Sequence, residues 1–175
     1  MNPRRRRLGF ILAAAAMLLA LVLPLSSEAA PAMSARPALL AITLAAALLF
    51  AIAGWAGGMW ATALGGAGVL CAAATTLALL RDAGINGSAG AGFWTMVLAA
   101  WLGAILCVVE LASMRPRDNT ARRVLNLAIP LLFGAVVFYL WEVLVRGFGV
   151  PSVILPAPSA ASRDRWGHEL EPRQA

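Results

Sequence analysis

The chain has 175 residues, 61% of them hydrophobic and only 13% charged, where a soluble domain carries roughly a quarter. Too few polar side chains remain to cover a water-exposed surface, which excludes a soluble catalytic domain beside the apolar blocks. The net charge of +6 rests on arginine without any lysine, and the arginines fall between hydrophobic blocks, a placement that fits membrane orientation rather than nucleic-acid binding.

Arg4, Arg5, Arg6 and Arg7 precede an apolar run over residues 8–25. A secretory signal peptide opens in the same way, but this run is longer than the roughly 7–15 residues of a signal core, and further apolar blocks follow. The run reads as a retained first helix, with cleavage as the alternative. Residues 26–37 form a short polar connection in which Pro31 and Pro37 break helix. A second helix is expected over 38–55 and a third over 59–80, joined by a reversal at Gly57 and Gly58. Trp55 and Trp60 flank that reversal, where indoles favour the headgroup layer. Gly54 and Gly58 have helix-contact spacing, yet a turn role for Gly58 is the simpler reading. The Gly-rich stretch 81–92 reads as a flexible loop. It has neither the lysine nor the strand–helix setting of a phosphate-binding loop. A fourth helix is expected over 93–112, a charged connection over 113–123, a fifth helix over 124–145, and a Pro-rich, then polar, remainder.

The expected fold class is therefore all-α, with about five transmembrane helices and a cytoplasmic N-terminus. The arginines set that orientation. Arg4, Arg5, Arg6, Arg7, Arg115, Arg117, Arg122 and Arg123 then lie inside, against Arg36 and Arg81 in the outer loops. Arg146, Arg163, Arg165 and Arg173 fall on the outer side and oppose the bias. An arginine-only basic set with abundant Ala, Gly and Pro points to a GC-rich bacterial genome, and so to a bacterial inner membrane.

Candidate chemistry is sparse. His168 is the only histidine and lies in the polar tail, away from any cysteine or carboxylate cluster, so no metal or other cofactor is expected. No serine has a histidine partner and no carboxylates are paired for acid–base work, so no enzymatic activity is expected. Cys71 and Cys107 read as small apolar packing residues, with an interhelical disulfide as the alternative. Ionisable residues inside spans are functional candidates by default. Glu110, near the cytoplasmic end of the fourth helix, is expected to snorkel towards Arg115 and Arg117. Glu142 and Arg146, four residues apart near the outer end of the fifth helix, are expected to pair. Pro130 can kink the fifth helix, since neighbours can satisfy the freed carbonyl.

Residues 129–159 read IPLLFGAVVFYLWEVLVRGFGVPSVILPAPS. The order Trp141-Glu142, Val145-Arg146, Val150-Pro151 and Leu155-Pro156-Ala157-Pro158-Ser159 is similar to the first core helix and outer loop of bacterial ABC importer permeases. It looks most like the group importing nitrate, sulfonates, taurine and related small solutes. The resemblance implies a permease dimer, working with an ABC ATPase subunit and an extracytoplasmic solute-binding protein. It covers about 40 residues, from roughly Thr120 to Ser159. The family's helix also leaves the cytoplasm and has its Pro-rich loop outside, as the arginine count requires here. On this reading residues 1–112 are an N-terminal four-helix module, 113–123 a cytoplasmic loop, 124–159 the permease-like core helix and outer loop, and 160–175 a polar tail. The later helices of the family and its ATPase-docking loop, with Glu-Ala-Ala…Gly, have no counterpart, so the chain reads as the front portion of a permease. The competing reading is a small, non-transporting membrane scaffold or assembly protein held by Ala- and Gly-rich helix contacts.

Overall fold

The first helix starts before the hydrophobic run because Asn2 caps it. Asn2 Oδ1 accepts the Arg4 backbone N–H at 3.0 Å, and Pro3 fills the first helical position. In this computed structural model α1 spans Pro3–Ala20, so the four arginines belong to its opening turns rather than to a flank. It also stops short of Leu25. Pro24 disfavours helical geometry at Leu23, and the end is closed by turn hydrogen bonds from Leu21 to Leu18 and from Val22 to Leu19. The structure describes residues 2–26, 33–82, 85, 87–114, 119–151 and 153–159.

A 3₁₀ turn at Met33–Ala35 leads into α2, Pro37–Trp55, again with proline at its start. The reversal at Gly57 and Gly58 is tight. Gly58 sits at φ +54°, a left-handed conformation that side chains with a Cβ resist, and opens α3, Gly58–Asp82. α4 spans Ala91–Ser113, and α5 spans Asn119–Gly147 with Pro130 inside it. Among the described residues the regular structure is helical, apart from one isolated antiparallel bridge between Ser26 and Ala89.

Four helices are long and apolar enough to cross a bilayer: α2, α3 over Gly58–Arg81, α4, and α5 over Arg122–Gly147. The chain is thus an all-α, multi-pass membrane protein. Five spans were expected. α1 falls outside the four because its 18 residues include Arg4 to Arg7. It nevertheless lies within the bundle, against α2 and α4. Its N-terminus meets the C-terminal ends of both: Arg7 stands 4.6 Å over the Trp55 ring, and Arg6 Nη1 lies 3.9 Å from Glu110 Oε1. At the opposite end Gly90 and Gly92 donate to the carbonyls of Leu25 and Pro24, and the C-terminus of α5 meets that of α3. The helices therefore alternate in direction. One end, the arginine end, holds Arg4 to Arg7 and the start of α5 with Arg122 and Arg123. The far end holds Arg36, Arg81, Arg146 and the Pro-rich segment.

The core is built from large side chains seated on small ones. Phe10 and Phe50 stack at 6.4 Å and are fully buried. A Cβ on Gly103 would stand 2.5 Å from the Phe50 ring, one on Gly68 2.9 Å from it, and one on Gly65 2.7 Å from Phe10. Within a bilayer lipid tails are as apolar as leucine, so such close dispersion contact, rather than expulsion of water, holds helices together. Gly54 belongs to this set, packed on Arg7 and Phe10 of α1, whereas Gly58 serves the turn. α5 is the exception. It touches the bundle mainly through its last turns, and its earlier part exposes Val124, Leu127, Leu131 and Phe133.

Candidate functional site

The most developed polar arrangement lies at the far end, where the last turns of α5 present Glu142 and Arg146 on one face. Arg146 Nη1 donates to Glu142 Oε1 at 3.2 Å, and Nη2 donates to the Leu80 carbonyl at 3.3 Å, which ties α5 to the end of α3. The chain then leaves α5, turns and comes back. Ser159 donates its backbone N–H to Glu142 Oε2 at 3.0 Å and its hydroxyl to Oε1 at 2.5 Å. Glu142 is 9% exposed, and both of its oxygens are engaged by these donors. A buried carboxylate is tolerated on those terms, with charge-assisted bonds replacing water. We term this arrangement the clasp.

Backbone hydrogen bonds order the described residues of the excursion from Gly147 to Ser159. Val150 donates to Val145, and both Ile154 and Leu155 donate to Pro151. Gly149 adopts φ +63° and lies so close to Gly87 that a Cβ there would stand 2.6 Å from the Gly87 Cα. Gly87 in turn donates to the Arg146 carbonyl at 3.1 Å. The Gly-rich stretch expected to be a flexible loop is therefore tied, over residues 87–92, to both the α1 exit and the α5 terminus. Its glycines permit backbone to approach backbone.

Of the residues carrying the permease resemblance, the fold sets both Arg146 and Ser159 on Glu142, with Pro158 half-buried next to Ser159. Trp141, Pro151, Leu155 and Pro156 stay exposed, and Trp141 stacks on Phe138 at 6.2 Å along the outside of α5. Three further contributors were not anticipated: the Leu80 carbonyl, the Gly87–Gly149 contact, and Trp94, which stacks on Phe148 at 4.6 Å. Nothing in the sequence pairs Trp94 with Phe148. α5 is also latched to α3 by a hydrogen bond of 2.8 Å between Thr76 Oγ1 and the Tyr139 hydroxyl.

A second polar group sits at the arginine end. Glu110 is 4% exposed, and its neighbour is Arg6 of α1. The partners expected for it, Arg115 and Arg117, lie outside the described residues, as does His168. At 3.9 Å the contact is Coulombic rather than a hydrogen bond, and Glu110 Oε1 and Arg6 Nε are buried without hydrogen-bond partners. Cys107, one turn earlier on α4, directs its thiol at the Thr62 carbonyl at 3.8 Å. Both Cys107 and Cys71 are free thiols. Among the described residues no three His, Cys, Asp or Glu side chains gather as a metal site would need.

What the clasp can do is mechanical. A carboxylate occupied by a guanidinium, an amide and a hydroxyl is poorly placed to take up a proton or an ion. It is well placed to hold α3, α5 and the returning chain in one arrangement. Comparison with protein-family models, with curated proteins and with solved structures finds no match to this chain.

Proposed function

We propose that this integral membrane protein is a permease-type subunit of an ABC importer for a small solute, resident in a bacterial inner membrane. On this reading it crosses the bilayer five times, with the arginine end in the cytoplasm, and has no enzymatic activity of its own. α1 to α4 form an accessory module, and α5 is the first helix of the permease core. An ABC ATPase subunit supplies the energy, an extracytoplasmic solute-binding protein delivers the solute, and a second permease half completes the path.

The observation supporting this reading is the clasp. Glu142, Arg146 and Ser159 carry much of the resemblance, and Ser159 lies 17 residues from Glu142, yet the three form one connected unit. Chance matches strung along a chain have no reason to meet. The exposed earlier part of α5 is consistent with a helix that meets further helices there. The scaffold reading has its own support in the Gly- and Ala-lined packing of α1 to α4 around Phe10 and Phe50.

Affinity purification from native membranes in mild detergent separates the two. The permease reading expects a nucleotide-binding subunit to co-purify in fixed ratio and to hydrolyse ATP. A chain recovered alone, or only with copies of itself, overturns it in favour of the scaffold.

A further inference from the structure

We propose that Phe148, Val153, Ile154 and Leu155 form an apolar tip that inserts into the lipid headgroup and upper acyl layer at the far end of the bundle, anchoring the end of α5 to the bilayer. Exposure provides the first argument. Val153 is 95% exposed, Ile154 76%, Phe148 65% and Leu155 43%, four large apolar side chains within eight positions. So many large apolar side chains exposed within one short segment point to an interaction site rather than a water-facing loop. No charged residue occurs between Arg146 and Arg163, so no side-chain charge in the segment opposes entry into lipid.

Position indicates the occupant. On α5, Phe138, Trp141, Leu144 and Phe148 follow one another at helical spacing and are all exposed, a stripe on the bilayer-facing side of a membrane helix. That stripe runs directly into the tip, so the apolar surface continues past Arg146. Trp94, with its indole N–H donating to the Ala89 carbonyl at 3.2 Å and its ring against Phe148, marks the interfacial level at which the tip begins.

The tip is also held in shape. The turn at Pro151 accepts two backbone hydrogen bonds, and Ser159 returns the chain to Glu142. Its aliphatic side chains are thus presented by a closed excursion whose two ends are tied to α5, and little ordering is left for insertion to impose. This inference rests on the membrane character of the chain and not on the permease reading.

The test uses Val153→Cys in a Cys71→Ala background, with buried Cys107 left in place. The cysteine carries an environment-sensitive fluorophore, and the purified full chain is reconstituted into vesicles of zwitterionic and anionic phospholipid. Insertion is expected to shift the emission to the blue and to make it quenchable by shallow nitroxide-labelled lipid. It should also lower quenching by iodide on both sides of the membrane several-fold, relative to a probe at exposed Arg123. Ile154→Cys should give the same pattern independently. Full iodide access with no lipid quenching overturns the proposal. Shielding seen in native membranes but lost in purified vesicles also overturns it, because a protein then covers the tip.

Discussion

Replacing Arg146 by alanine should unseat the clasp, and the structure sets the scale of the loss. The guanidinium meets a Glu142 side chain that is 11% exposed while being 24% exposed itself, so the pair is largely but not wholly removed from solvent. Removing one partner of a fully buried pair costs about 3–5 kcal/mol, because the other charge is left uncompensated. Here Ser159 still donates twice to the carboxylate, and the interface admits some water, which lowers the expected loss to roughly 2–3 kcal/mol, near the range for a charge-assisted hydrogen bond. Adding Glu142→Gln removes the stranded charge and should restore part of the stability. The assay is reversible unfolding in mixed detergent micelles, followed by tryptophan fluorescence for wild type, both single variants and the double variant. The reasoning predicts a coupling energy of about 1 kcal/mol or more between the two positions. Losses that add to within roughly 0.3–0.5 kcal/mol would refute it, since residues sharing one hydrogen-bond network cannot behave as independent sites.

Gly103→Val should destabilise the bundle by about 1–3 kcal/mol, because its Cβ would lie 2.5 Å from the Phe50 ring. The same unfolding titration checks this, and adding Phe50→Leu should recover part of the loss. Tyr139→Phe should cost about 0.5–1.5 kcal/mol through the Thr76 hydrogen bond. A similar loss for Tyr139→Phe in a Thr76→Val background would show that the bond contributes nothing.

α2 to α5 were legible because composition dominates in a membrane chain: long apolar blocks bounded by Gly, Pro and Arg leave one economical reading. α1 was misplaced at both ends for local reasons that the sequence does contain. Asn2-Pro3 is a helix start and Pro24 a helix stop, but runs of arginine read more readily as a flank than as a helical turn. The Glu142–Arg146 contact followed from helical spacing alone. The Ser159 contact did not, since it depends on the path of an entire excursion through Gly149 and Pro151. For the same reason the contact of Glu110 with Arg6 of α1 could not be read from the sequence, where the two lie far apart. The Gly-rich residues 87–92 show the limit most clearly. Glycine content reports freedom in an isolated chain and equally permits close backbone contact in a folded one. Only the partner carbonyls of Pro24, Leu25 and Arg146 decide between the two.

The side of the membrane on which each helix end lies can be measured outright. Reporters active only in the cytoplasm or only outside it, fused in turn after Ser26, Arg123 and Ser159, sample the far end, the arginine end and the clasp. The account predicts an external signal after Ser26 and Ser159 and a cytoplasmic one after Arg123, as alternating helices and the arginine distribution require. The same side for Arg123 and Ser159 would contradict it.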